Sequence, residues 1–315
     1  MDYVKLGTTD MDVSRITFGA MELGGGNAYA GGMDRWAVKS EEENIKLLRT
    51  AFENGVTTFD TAELYGAGLS EMIVGKALRE IRKDCVIATK ISPHHLRPND
   101  IRMAVSQSLF RLNTDYIDLY YIHMPSKDIP IEDTMSELNK LVEEGTIRAI
   151  GVSNFSIEQL KKAMEFGRIE AIQPEYNLLQ RNIELDLRDF CFENSISIMS
   201  YNSIAKGILT GAFHLYGHEV KDFRRKKPIF QPDKMEKITN LIMVLKEIAD
   251  SKGASLSQIA INWLFHQKGF TSAIVGTQNE KHFLENLNSV EISLSNDEVV
   301  RLDTVSKQVL KSFTE

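Results

Sequence analysis

Eight times along the chain a short, β-prone run precedes a longer amphipathic one, and this alternation constrains the fold more than any other feature. The strand-like runs are 16–21 (ITFGAM), 57–60, 85–91, 116–123, 147–154, 171–177, 195–203 and 271–277. Helical runs follow at 40–55, 69–81, 98–112, 131–145, 156–167, 183–195 and 279–289, while the run at 195–203 leads into a long loop. Within the helices apolar residues recur at spacings of three and four, as in Ile45, Leu47, Leu48, Ala51 and Phe52. The strands are continuously apolar, as expected when both faces of a parallel sheet are covered. Eight such units in 315 residues predict an α/β fold of the (β/α)8 TIM-barrel type. An open doubly wound sheet is the structural alternative.

Three pieces fall outside the eight units. Residues 3–14 predict a hairpin that turns at 7–10 and closes the barrel floor. Two extra helices are predicted, at 233–253 (ahead of the helical run 255–269) and at 294–310. No linker, low-complexity tract or further repeat interrupts the pattern, so residues 1–315 read as a single domain.

Composition narrows the function classes. Charged residues are 26% and hydrophobic residues 43%, the balance of an ordinary globular protein. A formal charge of −7 provides no basic footprint for nucleic acid. The run RRKK at 224–227 is a local exception, read either as a solvated face or as a neighbour of an anionic ligand. Cys85 and Cys191 lie inside apolar runs and imply no disulfide framework, which fits a reducing compartment. The first residues carry no apolar signal core, and no window reaches membrane-spanning length, so a cytoplasmic protein with no membrane partner is expected.

In a barrel of this type the C-terminal strand ends form the active face. Asp60, Lys90, His123, Ser153-Asn154, Gln173 and Tyr201 all stand at or near such ends, inside apolar runs where an unpaired polar group is costly. Any one of them alone reads as a satisfied structural group; six strands ending this way predict a site. Tyr65 alone reads as a turn aromatic, and Asp60 alone as the start of an Asx turn. His94 and His95 are adjacent and poorly spaced to grip one ion, so they are expected to line the substrate mouth, with no metal. GGGNAYAGG at 24–32 does not open directly into a helix, so it matches neither a dinucleotide fingerprint nor a P-loop. It reads as a flexible loop overhanging the substrate.

The set FDTAELYG, ATKI, YYIH, GVSNF, QPEYN, SYNSIAKGILTG and IVGTQNEKHFLEN resembles the aldo-keto reductase superfamily in order and spacing over nearly the whole chain. The long loop with DFRRKKPIF is similar to the branch of bacterial enzymes and potassium-channel β-subunits. The resemblance implies a catalytic tetrad of Asp60, Tyr65, Lys90 and His123, and NADPH/NADP+ as cofactor, with NADH as the alternative. It further implies that Ser153, Asn154 and Gln173 bind the nicotinamide carboxamide and that Tyr201 stacks on the ring. The backbone around Lys206, Gly207 and Leu209 would approach the pyrophosphate. Gly276, Gln278, His282, Glu285 and Asn286 would hold the adenosine end. Two departures stand out: Asn202-Ser203 replaces a frequent Ser-Pro, and Gln278 replaces a frequent basic residue.

The implied chemistry accounts for the residue types. When hydride reaches a carbonyl carbon, charge develops on oxygen and needs a proton donor and aimed dipoles. A free tyrosine, with a pKa of about 10, is a weak acid near neutrality unless its anion is stabilised. Lys90, held by Asp60, is the expected stabiliser, and His123 the expected neutral N–H donor. The expected partner is therefore a small aldehyde or ketone or the corresponding alcohol, and the polar His94-His95 pair leans towards a sugar-like one. Met21, Trp36, His94, Phe155 and Phe230 are candidate pocket walls. A nucleotide-binding regulatory subunit with little turnover is the alternative function, opposed by His123, which the channel subunits lack. A metal-dependent barrel hydrolase would want clustered ligands at several strand ends, and ITFGAM offers none.

Overall fold

In a computed structural model that describes residues 1–25 and 39–314, ten strands and eleven α-helices are found among the described residues. Most of the 24–32 segment and Trp36 lie outside the described residues. A two-stranded antiparallel hairpin, β1 (Tyr3–Lys5) and β2 (Asp12–Ser14), precedes eight strands that close into a barrel. These are β3 (Ile16–Gly19), β4 (Thr58–Asp60), β5 (Val86–Ile91), β6 (Ile117–Ile122), β7 (Ile147–Ser153), β8 (Ala171–Gln173), β9 (Ser197–Ser200) and β10 (Phe270–Val275). All neighbouring barrel pairs are parallel, and β10 closes the ring between β9 and β3, with Ala273 opposite Ile16. The open doubly wound alternative is thereby set aside.

The helices are α1 (Glu41–Glu53), α2 (Leu69–Leu78), α3 (Pro98–Leu112), α4 (Ile131–Glu143), α5 (Ile157–Met164), α6 (Leu187–Glu193), α7 (Ala212–Leu215), α8 (Pro232–Lys252), α9 (Leu256–Phe265), α10 (Glu280–Leu287) and α11 (Asn296–Ser312). Four begin with a reciprocal capping box: Ser40 with Glu43, Ser156 with Gln159, Ser255 with Gln258, and Ser295 with Glu298. Each box satisfies two backbone donors that a helix start would otherwise leave bare. The predicted extra helices are α8 and α11. No helix among the described residues is long and apolar enough to cross a membrane.

The barrel has an inner and an outer apolar layer. Val86, Ala88, Leu119, Tyr121, Ala149, Ala171, Met199 and Ile274 cluster inside with Leu6, Met11 and Val13 of the hairpin, which closes the floor as expected. Glu170 and Ser197 pin that hairpin by accepting from the amides of Thr8 (2.7 Å) and Gly7 (2.8 Å). Ile87, Ile91, Tyr120, Ile122, Ile150, Val152, Ile172 and Ile198 belong instead to the layer beneath the helices. Successive strand residues face opposite sides, so the inner line runs 86, 88, 90 on β5 and 119, 121 on β6, continuing to 123 just beyond it. The same step of two reaches Ser153 and Gln173 at the ends of β7 and β8, and Tyr201 and Gly276 just beyond β9 and β10. Period alone therefore directs the polar strand-end residues to the barrel mouth.

Several boundaries are shorter than the sequence pattern suggests. β8 stops at Gln173, before Pro174, which has no amide for the ladder. α6 starts at Leu187 after a separate 3-10 turn, Asn182–Glu184, and α2 gives way at Leu78 to the 3-10 segment Arg79–Asp84. The long loop after β9 contains three 3-10 segments besides α7.

Gly75 marks the crossing of α2 and α3. A Cβ placed there would sit 2.4 Å from the Leu112 carbonyl oxygen, which is backbone and cannot swing aside. In an open helix Gly→Ala gains about 1 kcal/mol, whereas overpacking costs about 1–3 kcal/mol. Gly75→Ala is therefore expected to destabilise the protein in denaturant titration; a raised midpoint would show that the end of α3 yields to the methyl group.

Candidate active site

Lys90 is fully buried on the inner line of β5, where its charge would be untenable without partners. Its ammonium donates to Asp60 Oδ1 (2.5 Å), to the Thr61 carbonyl (2.8 Å) and to the Tyr65 hydroxyl oxygen (3.3 Å). An ammonium has three donors, and all three are used. The second Asp60 oxygen accepts from the Gln173 side-chain amide at 2.8 Å. Because the Tyr65 oxygen accepts from Lys90, its own proton is not spent on the lysine.

Backbone contacts hold the Tyr65 loop against the barrel. The amides of Thr61 and Glu63 donate to the carbonyls of Ala88 (2.8 Å) and Lys90 (3.3 Å) on β5. A Cβ at Gly66, where φ is +59°, would lie 2.2 Å from the Gly24 carbonyl oxygen, so only glycine fits this backbone-on-backbone contact. Glu63 completes the attachment: its buried carboxylate accepts from the Ser92 amide (2.5 Å) and lies 2.9 Å from His95 Nδ1.

His123 stands edge-on to Tyr65, with ring centroids 5.8 Å apart, and its buried Nδ1 has no partner among the described residues. Burial, assisted by the Lys90 charge, pushes the imidazole down to about 3, so it is neutral at physiological pH. Burial raises the Tyr65 hydroxyl above its ordinary value, against the pull of Lys90, and keeps the phenol protonated. Burial works against the Lys90 charge too, but Asp60 and Tyr65 outweigh it and hold the ammonium above its usual value. The arrangement offers a protonated hydroxyl and a neutral imidazole side by side, with a cation behind the hydroxyl.

The remaining predicted residues form an arc from β7 to α10. Ser153 Oγ donates to the Gln173 carbonyl (2.9 Å), and the Asn154 amide donates to the His123 carbonyl (3.1 Å). Tyr201 donates to Asn154 Oδ1 at 2.8 Å. Gln173 is committed to Asp60, so its amide nitrogen faces the tetrad in this structure. Beyond Tyr201 the backbone turns left-handed at Asn202, Ala205, Lys206 and Gly207, with strain at Ala205 and Lys206 of the kind found at ligand sites. Leu209 is buried beneath this turn. Gly276 is exposed beside Gly19, and a Cβ on it would meet the Gly19 carbonyl at 2.9 Å. Gln278 donates to the Glu22 carbonyl (2.7 Å), while Asn279, not predicted, caps α10 by accepting from the His282 amide (3.2 Å). Glu285 and Asn286 follow on that helix, Asn286 buried and the Glu285 carbonyl accepting from Gln258 at 2.7 Å.

Residues missed in the sequence also shape this face. Glu63 clamps two loops. Glu175 Oε1 accepts from Asn202 (2.9 Å) and Lys206 (2.8 Å). Glu22 is raised by burial, against Arg224 and the Gln278 backbone amide. A step of two beyond Gln173 lands on Glu175, which was the available signal; the Glu63 contacts depend on a neighbouring strand and left none. In RRKK, Arg224 bonds Asp222 and donates to the Lys206 carbonyl at 2.9 Å, beside the strained turn. Among the described residues no group of three His, Cys, Asp or Glu side chains is arranged to hold a metal ion.

Comparison with known proteins is consistent with this geometry. The aldo/keto reductase family model matches residues 15–307. The chain is 35% identical to the aldo-keto reductase YhdN of Bacillus subtilis over 290 residues, covering 88% of this chain and 85% of the relative. The glycerol dehydrogenase of Gluconobacter oxydans superimposes with a TM-score of 0.88 at 30% identity, covering 98% and 96% of the two chains. An aldo/keto reductase of Klebsiella pneumoniae, solved with NADP and acetate, aligns with a TM-score of 0.76 at 28% identity, over 96% and 95%.

The neutrality of His123 has a consequence for pH. Its folded-state value, about 3, lies below the 6.5 of an unfolded histidine, so below pH 6.5 protons favour the unfolded chain down to about pH 3. His123→Gln is expected to lose less stability than the unsubstituted protein between pH 6.5 and 4. Parallel acid titrations by circular dichroism check this, and identical curves would mean that the imidazole is charged when folded.

Proposed function

The chain belongs to the aldo/keto reductase family, and from that premise we propose an NADP(H)-dependent oxidoreductase that reduces an aldehyde or ketone to an alcohol. The observation that carries the reading is the Lys90 ammonium between Asp60 (2.5 Å) and Tyr65 (3.3 Å), with neutral His123 at the edge of the tyrosine ring. The residues fit a dinucleotide: the strained turn at 202–207, exposed Gly276 and the capped start of α10 line one arc leading to Tyr65. Tyr201 and Asn154 would hold the nicotinamide end, and the backbone from Lys206 to Leu209 the pyrophosphate. Reduced nicotinamide supplies the hydride when bound.

Tyr65 is the proposed general acid. As negative charge builds on the substrate oxygen, the phenol proton moves to it, and Lys90 stabilises the tyrosinate left behind. His123 donates an N–H to the same oxygen, a role that requires the neutral ring. Asp60 and Gln173 fix Lys90. The half-exposed His95 and its neighbour His94 favour a hydroxylated, sugar-like carbonyl. Loss of NADPH absorbance on adding such carbonyls to the purified protein tests the reading. Nucleotide binding without turnover would support the regulatory-subunit alternative instead.

Tyr65→Phe is expected to lower kcat by about 10²–10⁴-fold, the usual contribution of a general acid, with NADPH affinity almost unchanged. Turnover within a few-fold of the original would remove Tyr65 from this role. Lys90→Met should be as damaging and Asp60→Asn less so; the reverse order in steady-state kinetics would contradict the supporting role of Asp60.

Cofactor preference follows from the adenosine end. Gln278 carries no charge and is engaged with Glu22, while Glu280, a potential repellent of a 2′-phosphate, lies 3.5 Å from Lys46. Lys281, exposed in the first turn of α10, is the available point charge. A moderate preference for NADPH over NADH is expected, reduced further in Lys281→Ala. The ratio of kcat/KM values at fixed ionic strength measures it, and equal values for the two cofactors would mean that no 2′-phosphate site exists.

A further inference from the structure

The segment leaving β8 grips the segment leaving β9 through a single acidic side chain. Glu175 forms a parallel backbone bridge with Tyr201, whose amide also donates to the Pro174 carbonyl at 3.0 Å. Its Oε1 accepts both from the Asn202 amide (2.9 Å) and from the Lys206 ammonium (2.8 Å). Asn177 adds a bond from its side-chain amide to the Asn202 carbonyl (3.0 Å). The two residues that Glu175 holds by their side chains, Asn202 and Lys206, are both left-handed, with φ of 54° and 56°. Neither is glycine; asparagine adopts this conformation readily, but for Lys206 it is intrinsically unfavourable and persists only if the surroundings hold it. The grip also spans the turn: Asn202 enters it, Lys206 lies within it, and Arg224 fastens the Lys206 carbonyl from the other side at 2.9 Å.

We propose that Glu175 is a positioning residue for cofactor binding: it latches the turn at 202–207 in its strained form and so presents the Tyr201 ring and the Lys206–Leu209 backbone to the dinucleotide. This rests on the reading of the site as NADP(H)-binding. Glu175 touches none of the tetrad, so its contribution appears in affinity and not in the hydride step. The ion pair is part-exposed on both sides, with 25% of the Lys206 side chain and 31% of the Glu175 side chain accessible. Its worth thus lies in ordering the turn before the ligand arrives, and pre-ordering is what lowers the cost of binding.

The test is the dissociation constant of NADPH, measured by quenching of intrinsic fluorescence, together with kcat at saturating NADPH. Glu175→Gln keeps the size and one acceptor but loses the charge, and is expected to raise the dissociation constant about tenfold, a typical coupling within one ion-pair network. Its kcat should stay within about twofold, since only a change in transition-state stabilisation would alter it. In a Lys206→Met background the same Glu175→Gln change should have almost no further effect on affinity. A general loss of structure would not reproduce that dependence on Lys206. Glu175→Asp should recover part of the affinity. Unchanged or tighter NADPH binding in Glu175→Gln overturns the proposal, as does an undiminished effect in the Lys206→Met background. If the unsubstituted protein binds no NADPH, the functional reading fails and the latch fails with it; if it binds and the variant matches it, only the latch is wrong.

Discussion

The tetrad at the barrel mouth is built around one buried ion pair, Lys90 with Asp60. Moving Lys90 and Asp60 out of water costs several kcal/mol per ion, and attraction between them offsets this only where the remaining donors and acceptors are also satisfied. Here they are: the ammonium spends its three protons on Asp60, Thr61 and Tyr65, and the carboxylate accepts from Lys90 and Gln173. That complete satisfaction fixes a lysine, which on a surface would be mobile, to one position. The pair ties β4, β5 and β8 together across the mouth and orients the hydroxyl of Tyr65 as a by-product of its own hydrogen bonding.

The barrel makes such an arrangement repeatable around a circle. Inner and outer layers alternate along each strand, so an apolar interior filled from the floor by Leu6, Met11 and Val13 gives way at the top to polar residues on the same line. The interior changes character within one step of two residues, from Ala88 to Lys90 on β5 and from Tyr121 on β6 to His123 just after it. Loops then add what strands cannot. The Tyr65 loop is fastened to β5 through its backbone, and the 202–207 turn is fastened to the segment after β8 through Glu175.

Much of this architecture was legible because its signals are local. The helix of residues 98–112 has the bounds that its apolar spacing suggested. Boundaries failed where a single residue ends the pairing, as Pro174 does for β8. The candidate site was nominated in a different way, by family motifs, and period two explains why the nominated residues at strand ends share one face. The partners were not legible. Gln173 lies 113 positions from Asp60 in the chain and binds it because two strands meet across the barrel, and Glu63 meets Ser92 and His95 because neighbouring loops converge. Such choices depend on three-dimensional proximity, which no local pattern encodes.

Closure of the ring by β10 against β3 carries a consequence for the order in which the chain is made. A ribosome that has released residues 1–123 has already delivered Asp60, Tyr65, Lys90 and His123, yet the partner of Ile16 is Ala273. Until that segment emerges, β3 presents an unpaired edge, the sort of surface that recruits other strands. The Arg15 guanidinium, which donates to the carbonyls of Phe265, Phe270 and Thr271, likewise lacks these three acceptors before then. A chain interrupted before residue 270 would thus carry all four tetrad residues without a closed barrel.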